Sequence, residues 1–307
     1  MNAFRNAFKI IADRFVFLWT LIAYYGLAVF LLVSICLSVL IPYLNAIIES
    51  NLIQRISEIG QAIVAGSGME DITGLFNALT SDLARIFTGT LGLSTIGILL
   101  LLSVVWRFIL GLADVAFYHV IDMRLCSAAK ETFRSSFIKN VGKGAKYQLS
   151  KMLISLPVDG VIYGVIYLAS LLFSTPVLFI FAPFTLLLLY VLLYSARLSL
   201  FSGWIPEILH SEHKRIFPAF KSSLKLLGKN FWRVYTAMLL NMLVVIAINL
   251  FFGIFTLGVG LLITVPLTFY ILMALNSTLY YQNRGLRYYV NKDTIVNSII
   301  TASDEES

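Results

Sequence analysis

Charge is the scarcest property of this sequence. Asp, Glu, Lys and Arg supply 13% of its 307 residues, about half the share of a soluble domain. With 59% of the chain hydrophobic, a single soluble core cannot enclose that much apolar surface, and a disordered chain is excluded as well. Cysteine is nearly absent. Cys36 falls in the first apolar run and Cys126 in a basic segment. The topology argued below puts them on opposite sides of a membrane, too far apart for a disulfide. The three histidines form no metal-ligand spacing with the cysteines. His210 and His213, beside Glu207 and Glu212, are read as a solvated loop without a metal. There is no phosphate-binding glycine loop, nucleophile elbow or zincin helix. The expectation is therefore no enzyme activity and no cofactor. The net charge of +7 is read as loop bias on a membrane protein, with no nucleic acid implied.

Long uncharged runs are abundant. No Asp, Glu, Lys or Arg occurs in 15–48, 86–106, 160–196 or 234–283. A membrane-spanning helix needs about 20 apolar residues. The first run holds one span, 17–41, ending near Pro42, and the second most of another, 90–112. The third divides at Ser174-Thr175-Pro176 and the fourth at Thr256-Leu257-Gly258-Val259-Gly260. The fold class is thus all-α: a polytopic membrane protein of six spans. Residues 123–151 hold seven Lys/Arg and one Glu, and 205–233 six Lys/Arg and two Glu, whereas 45–86 holds two basic and five acidic residues. The positive-inside rule then puts both termini and the two basic loops in the cytoplasm of a plasma (inner) membrane protein.

The chain also repeats itself. Phe4-Arg5-Asn6-Ala7-Phe8-Lys9 matches Phe220-Lys221-Ser222-Ser223-Leu224-Lys225 in residue type, and Phe133-Arg134-Ser135-Ser136-Phe137 begins a third copy. Phe133 and Phe220 lie 87 residues apart, and Phe4 and Phe133 lie 129 apart. The excess of 42 equals the length of 45–86. One membrane domain is expected, made of three hairpins, each preceded by a cytoplasmic amphipathic helix. Repeat 1 is 1–122 with an outer helical insertion at 45–86, repeat 2 is 123–209, repeat 3 is 210–290, and 291–307 is a tail, disordered from Thr301. Lys221, Lys225 and Lys229 recur every four residues, on one helix face. With Arg134, Lys139 and Lys143 in the second copy, they are candidates for binding anionic lipid or docking a cytoplasmic or membrane partner subunit.

Charges inside a span cost about 2.5–3.5 kcal/mol each on insertion scales, so five intramembrane residues invite functional hypotheses. Arg197 and Arg284 are 87 residues apart, and Arg107 lies one helical turn from the equivalent position. They read either as arginines snorkelling to headgroups or as a ring at the inner mouth. Asp114 lies seven residues after Arg107, on the same face if one helix carries both. Asp159 follows Pro157 inside the third span. It reads either as an ion pair with Arg107 or Arg197, or as a proton- or substrate-coupling group in a broken helix. Asp122 is expected at the cytoplasmic surface. Asn241, Asn249 and Asn276 suit interhelical hydrogen bonds.

The segment from Arg197 to Tyr235 includes Ile205-Pro206-Glu207-Ile208-Leu209, Phe217-Pro218-Ala219-Phe220-Lys221-Ser222-Ser223-Leu224-Lys225-Leu226-Leu227 and Gly228-Lys229-Asn230-Phe231-Trp232-Arg233. It resembles the bacterial six-span family that includes the membrane domain of glycerophosphoryl diester phosphodiesterases and the YciC-like proteins. The resemblance implies a fold and a membrane location. It carries over no catalytic residue, because no segment is long enough to be the phosphodiesterase domain. Two functions are expected from the whole: transport, alone or as a subunit of a transport complex, or a non-transporting scaffold or assembly factor that binds lipids or membrane proteins.

Overall fold

The computed structural model describes residues 2–49, 52–66, 68–88, 90–127, 131–172, 181–210, 215–291 and 294–297. It is 88% helical. Six helical stretches are long and apolar enough to cross a membrane: Phe17–Ser38, Leu101–Ser127, Phe133–Leu172, Ala182–His210, Phe231–Phe255 and Leu261–Arg284. The turn expected at Ser174-Thr175-Pro176 and the tail from Thr301 lie outside the described residues. Large side chains such as Phe30, Leu168, Leu172 and Phe255 are exposed along the spans, as lipid-facing surfaces require.

The chain forms two compact units. The smaller, Leu27–Ile109, holds most of α2 (Phe17–Glu49), α3 (Leu52–Val64), α4 (Met69–Thr88) and most of α5 (Thr90–Gly111). The two short helices expected in 45–86 are α3 and α4, with Gly66 in the left-handed region at φ 68° between them. They pack together, and Arg55 pairs with Asp82 at 2.8 Å. The first candidate span, Phe17–Ser38, lies within the expected 17–41, and its helix α2 continues beyond Pro42 to Glu49.

The larger unit, Met1–Gly26 and Leu110–Ser307, adds α1 (Asn2–Asp13), α6 (Asp114–Ser127), α7 (Phe133–Leu172), α8 (Ala182–Phe201), α9 (Trp204–His210), α10 (Ile216–Lys229), α11 (Phe231–Phe255) and α12 (Leu261–Arg284). Helix α12 is central: 61% of its span is buried, against 11% for α11. Three contacts join the helices flanking the spans. Helix α6 packs on the first half of α7, α9 packs on α10, and the end of α12 packs on α1. Small residues line each seam: Ala3 and Ala7 on α1, Ser136 on α7, Ala219 and Ser223 on α10, all buried. Short side chains let helix axes approach closely. At Gly144 two backbones approach closely, since a Cβ there would come within 2.4 Å of the Leu112 carbonyl oxygen.

Two expectations need correction. In the second copy no separate amphipathic helix forms, because nothing terminates it. Helix α7 runs unbroken from Phe133 through Pro157 to Leu172, whereas α1 ends in a turn at Arg14 and α10 ends at Asn230. The structure is also not purely helical. Gly285, left-handed at φ 68°, stops α12 with a Leu286 N–H bond to the Tyr281 carbonyl at 2.9 Å. Arg287–Tyr289 then pairs antiparallel with Ile295–Asn297, so the start of the expected tail is a β-hairpin. Tyr288 is buried there, its hydroxyl accepting hydrogen bonds from Asn6 at 2.7 Å and Gln282 at 2.8 Å.

Candidate functional site

A cavity of about 150 Å³ lies among α6, α7, α8, α9 and α12. Its polar wall is Asp114, Lys151, Arg197, Tyr118, Tyr147, Tyr194 and Asn276, and its apolar wall includes Phe201, Phe269 and Leu272. Each polar group has a local reason for its position. Helix α5 ends at Gly111 and the chain turns at Leu112-Ala113. Asp114 therefore opens α6, where a carboxylate suits the positive end of a helix. It accepts from the Lys151 ammonium of α7 at 3.2 Å. Lys151 also lies over the Tyr147 ring, 5.4 Å from its centroid. One turn along α6, the Tyr118 hydroxyl accepts from the Asn276 amide nitrogen at 2.6 Å. The Asn276 carbonyl oxygen is buried with no hydrogen-bond partner among the described residues. A buried acceptor left without a donor is costly, and this one belongs to a residue of the cavity wall.

Arg197 lines the same cavity and reaches behind it. Its Nε donates to Asp159 Oδ1, and its Nη2 to Asp159 Oδ2 at 3.3 Å. Its guanidinium lies 5.1 Å from the Tyr194 ring and 5.6 Å from Phe201. Two acid–base pairs thus supply the embedded charge: Asp114 with Lys151, and Asp159 with Arg197.

A second polar cluster sits where α6, α9, α10 and α12 meet. Glu207 is buried and accepts from Arg284 at 2.6 Å at both oxygens, from Ser222 at 2.7 Å and from Tyr280 at 2.9 Å. Asp122 Oδ1 lies 2.7 Å from His210 Nε2 and accepts from Tyr281 at 2.8 Å. Arg124 donates to Asp13 at the end of α1.

Of the five residues singled out inside the spans, Asp114 and Arg197 line the cavity, and Asp159 joins it through Arg197. Arg284 is committed to Glu207 at the second cluster. Arg107 belongs to the other compact unit. Asp114 takes Lys151 as its partner, and a turn at Leu112-Ala113 separates α5 from α6. Asp122, 9% exposed, is buried among its partners. One further reading is overturned. His210 and Glu207 sit on α9, engaged with three other helices, rather than in a solvated loop; His213 lies outside the described residues. Asn249 and Asn276 make the expected interhelical bonds, to Thr264 at 2.8 Å and to Tyr118. Sequence reasoning missed Lys151, Tyr118 and Tyr147, which resemble ordinary basic or aromatic residues until the helices bring them together.

Lys221, Lys225 and Lys229 are all exposed on α10, opposite buried Ala219 and Ser223. On α7, Arg134 and Lys139 are exposed and Lys143 half-buried. Lys139 pairs with Glu131 at 3.1 Å, which holds the Glu131 carboxyl below its usual range. No family model, curated protein or solved structure matches the chain.

Proposed function

We propose that this chain is a transport protein of the plasma (inner) membrane, or the membrane subunit of a transport complex, with both termini cytoplasmic. One observation carries the reading: a polar cavity lies among apolar helices. Embedding two carboxylates, an ammonium and a guanidinium is expensive, and a purely structural bundle has no need of space beside them. At about 150 Å³ the cavity matches the size that admits a benzene-sized group. Paired charges of both signs and the free acceptor of Asn276 suit a small zwitterionic or hydrogen-bonding solute.

The threefold repeat belongs to the same proposal. Matching contacts recur at equal spacing in two copies. Phe133 stacks on Phe117 at 4.5 Å, and Phe220 packs on Trp204 at 4.3 Å, each sixteen residues upstream. The Ser136 hydroxyl bonds the Ala116 carbonyl, and a Cβ at Gly203 would meet Ser223, each pair twenty residues apart. The third seam joins α12 to α1, which is where a circular threefold arrangement closes. The family resemblance of 197–235 fits this reading.

A second reading has its own observation. The exposed lysine face of α10 favours a scaffold that holds anionic lipid or a partner subunit. Accessibility separates the two. In a background of Cys36→Ser and Cys126→Ser, Tyr194→Cys and Asn276→Cys are treated with a membrane-impermeant thiol reagent from either side of sealed vesicles. Labelling from both sides supports a path. Labelling from one side only, or neither, rejects passage and leaves the scaffold.

A further inference from the structure

We propose that Asp122, Cys126 and His210, with the Tyr281 hydroxyl, form a zinc-binding site. One ligand atom from each of the first three lies within 4.8 Å of the other two. The Tyr281 hydroxyl sits among them: 2.8 Å from Asp122 Oδ1, 3.1 Å from His210 Nε2 and 2.6 Å from Cys126 Sγ. Asp122 Oδ1 lies 2.7 Å from His210 Nε2, and Cys126 Sγ lies 3.9 Å from Asp122 Oδ2. Bonds of about 2.0–2.3 Å in a tetrahedral zinc centre hold ligand atoms about 3.3–3.8 Å apart. The shorter of these contacts therefore need to open by up to about 1 Å, and the wider separations among Asp122, Cys126 and His210, none above 4.8 Å, need to close by a similar amount to take the ion.

The donor chemistry chooses the metal. One sulfur, one imidazole nitrogen and one carboxylate suit a borderline ion such as Zn²⁺ and not the oxygen-seeking Ca²⁺ or Mg²⁺. The present contacts crowd the donor groups of a thiol, a phenol and an imidazole around one carboxylate. Zinc replaces that crowding: the Cys126 thiol gives up its proton to solvent, and His210 binds through Nε2 in the tautomer that carries its proton on Nδ1. The Tyr281 oxygen supplies the fourth position.

The scaffold fits such a site. Asp122 and Cys126 are four residues apart on α6, hence on one face. His210 ends α9, and Tyr281 is near the end of α12. One ion would clamp three helix ends. Cys126 is exposed and His210 half-buried, so the ion has a route in. No residue of this cluster lines the cavity above, so the inference stands or falls apart from transport.

The test uses the full chain in detergent with Cys36→Ser, so that Cys126 is the sole thiol. Titration with Co²⁺ is expected to give a near-ultraviolet thiolate-to-cobalt charge-transfer band and strong visible bands at one equivalent, both erased by Zn²⁺. Cys126→Ser and His210→Ala are expected to abolish them, and Tyr281→Phe to weaken binding about tenfold. A second readout needs no ligand variant: Zn²⁺ blocks maleimide alkylation of Cys126, and a chelator restores it. Absence of the cobalt band in the Cys36→Ser protein, its survival in Cys126→Ser, or alkylation indifferent to zinc overturns the proposal.

Discussion

The pair between Asp159 and Arg197 gives the sharpest energetic test of how charge is held inside this bundle. Their side chains are 10% and 13% exposed, and the two hydrogen bonds run between α7 and α8. Removing one partner of a sheltered pair strands the other charge, at about 3–5 kcal/mol. Replacing both with apolar residues of similar volume is often neutral, because both desolvation penalties vanish together. Asp159→Leu is therefore expected to destabilise the protein by about 3–5 kcal/mol, and Arg197→Met by a similar amount. Arg197→Met also forfeits the contacts with Tyr194 and Phe201, about 0.5–1 kcal/mol in such settings. The double variant is expected to recover to within about 1.5 kcal/mol of the parent. Reversible unfolding in mixed micelles, titrated with a denaturing detergent, measures all four corners of the cycle. Single variants within about 0.5 kcal/mol of the parent, or a double variant equal to the sum of the singles, would refute the claim that these charges are held by each other.

Four further outcomes follow. Gly144→Ala pushes a Cβ to within 2.4 Å of the Leu112 carbonyl and is expected to cost about 1–3 kcal/mol. Gly142→Ala, two residues away on the same helix with open space around it, is expected to stabilise by about 0.5–1 kcal/mol; melting temperatures of the two variants check the contrast. Glu207→Ala leaves two hydroxyls and a part-exposed Arg284 guanidinium without their acceptor and is expected to cost about 1–3 kcal/mol, read as a lowered melting temperature. Changing Lys221, Lys225 and Lys229 together to Gln is expected to cut binding to anionic vesicles by about 1 kcal/mol per lysine, with no change on neutral vesicles; equal loss on both would sink the electrostatic reading. Arg55→Ala, at a pair 38% and 26% exposed, is expected to shift stability by no more than about 1 kcal/mol.

The spans were legible because a membrane sets a length and forbids charge, and both constraints are local. Asp114, Asp159 and Arg197 stood out for the same reason, as charges in apolar runs. Partner choice was not local. The seven-residue spacing of Arg107 and Asp114 assumes one continuous helix, and the turn at Leu112-Ala113 breaks it. Lys151 looked like one more basic loop residue, yet α7 continues through it, because nothing between Lys143 and Pro157 stops a helix. Glu207, His210 and Asp122 carried the signature of solvated polar sequence. Their donors come from α10 and α12, up to 159 residues away along the chain, where no pattern in a window reaches.

The seam between α12 and α1 also bears on how the protein comes into being. Helix α1 is made well before α12, the span that seats it. Until α12 emerges, the buried face of α1, with Ala3, Ala7, Ile10 and Ile11, lacks the helix it packs on most and must shelter largely against the bilayer. Emergence of α12 then draws it in. The same contact can act as a proofreading step, since a chain that stops short of α12 leaves an apolar helix free for the cell's quality control to find.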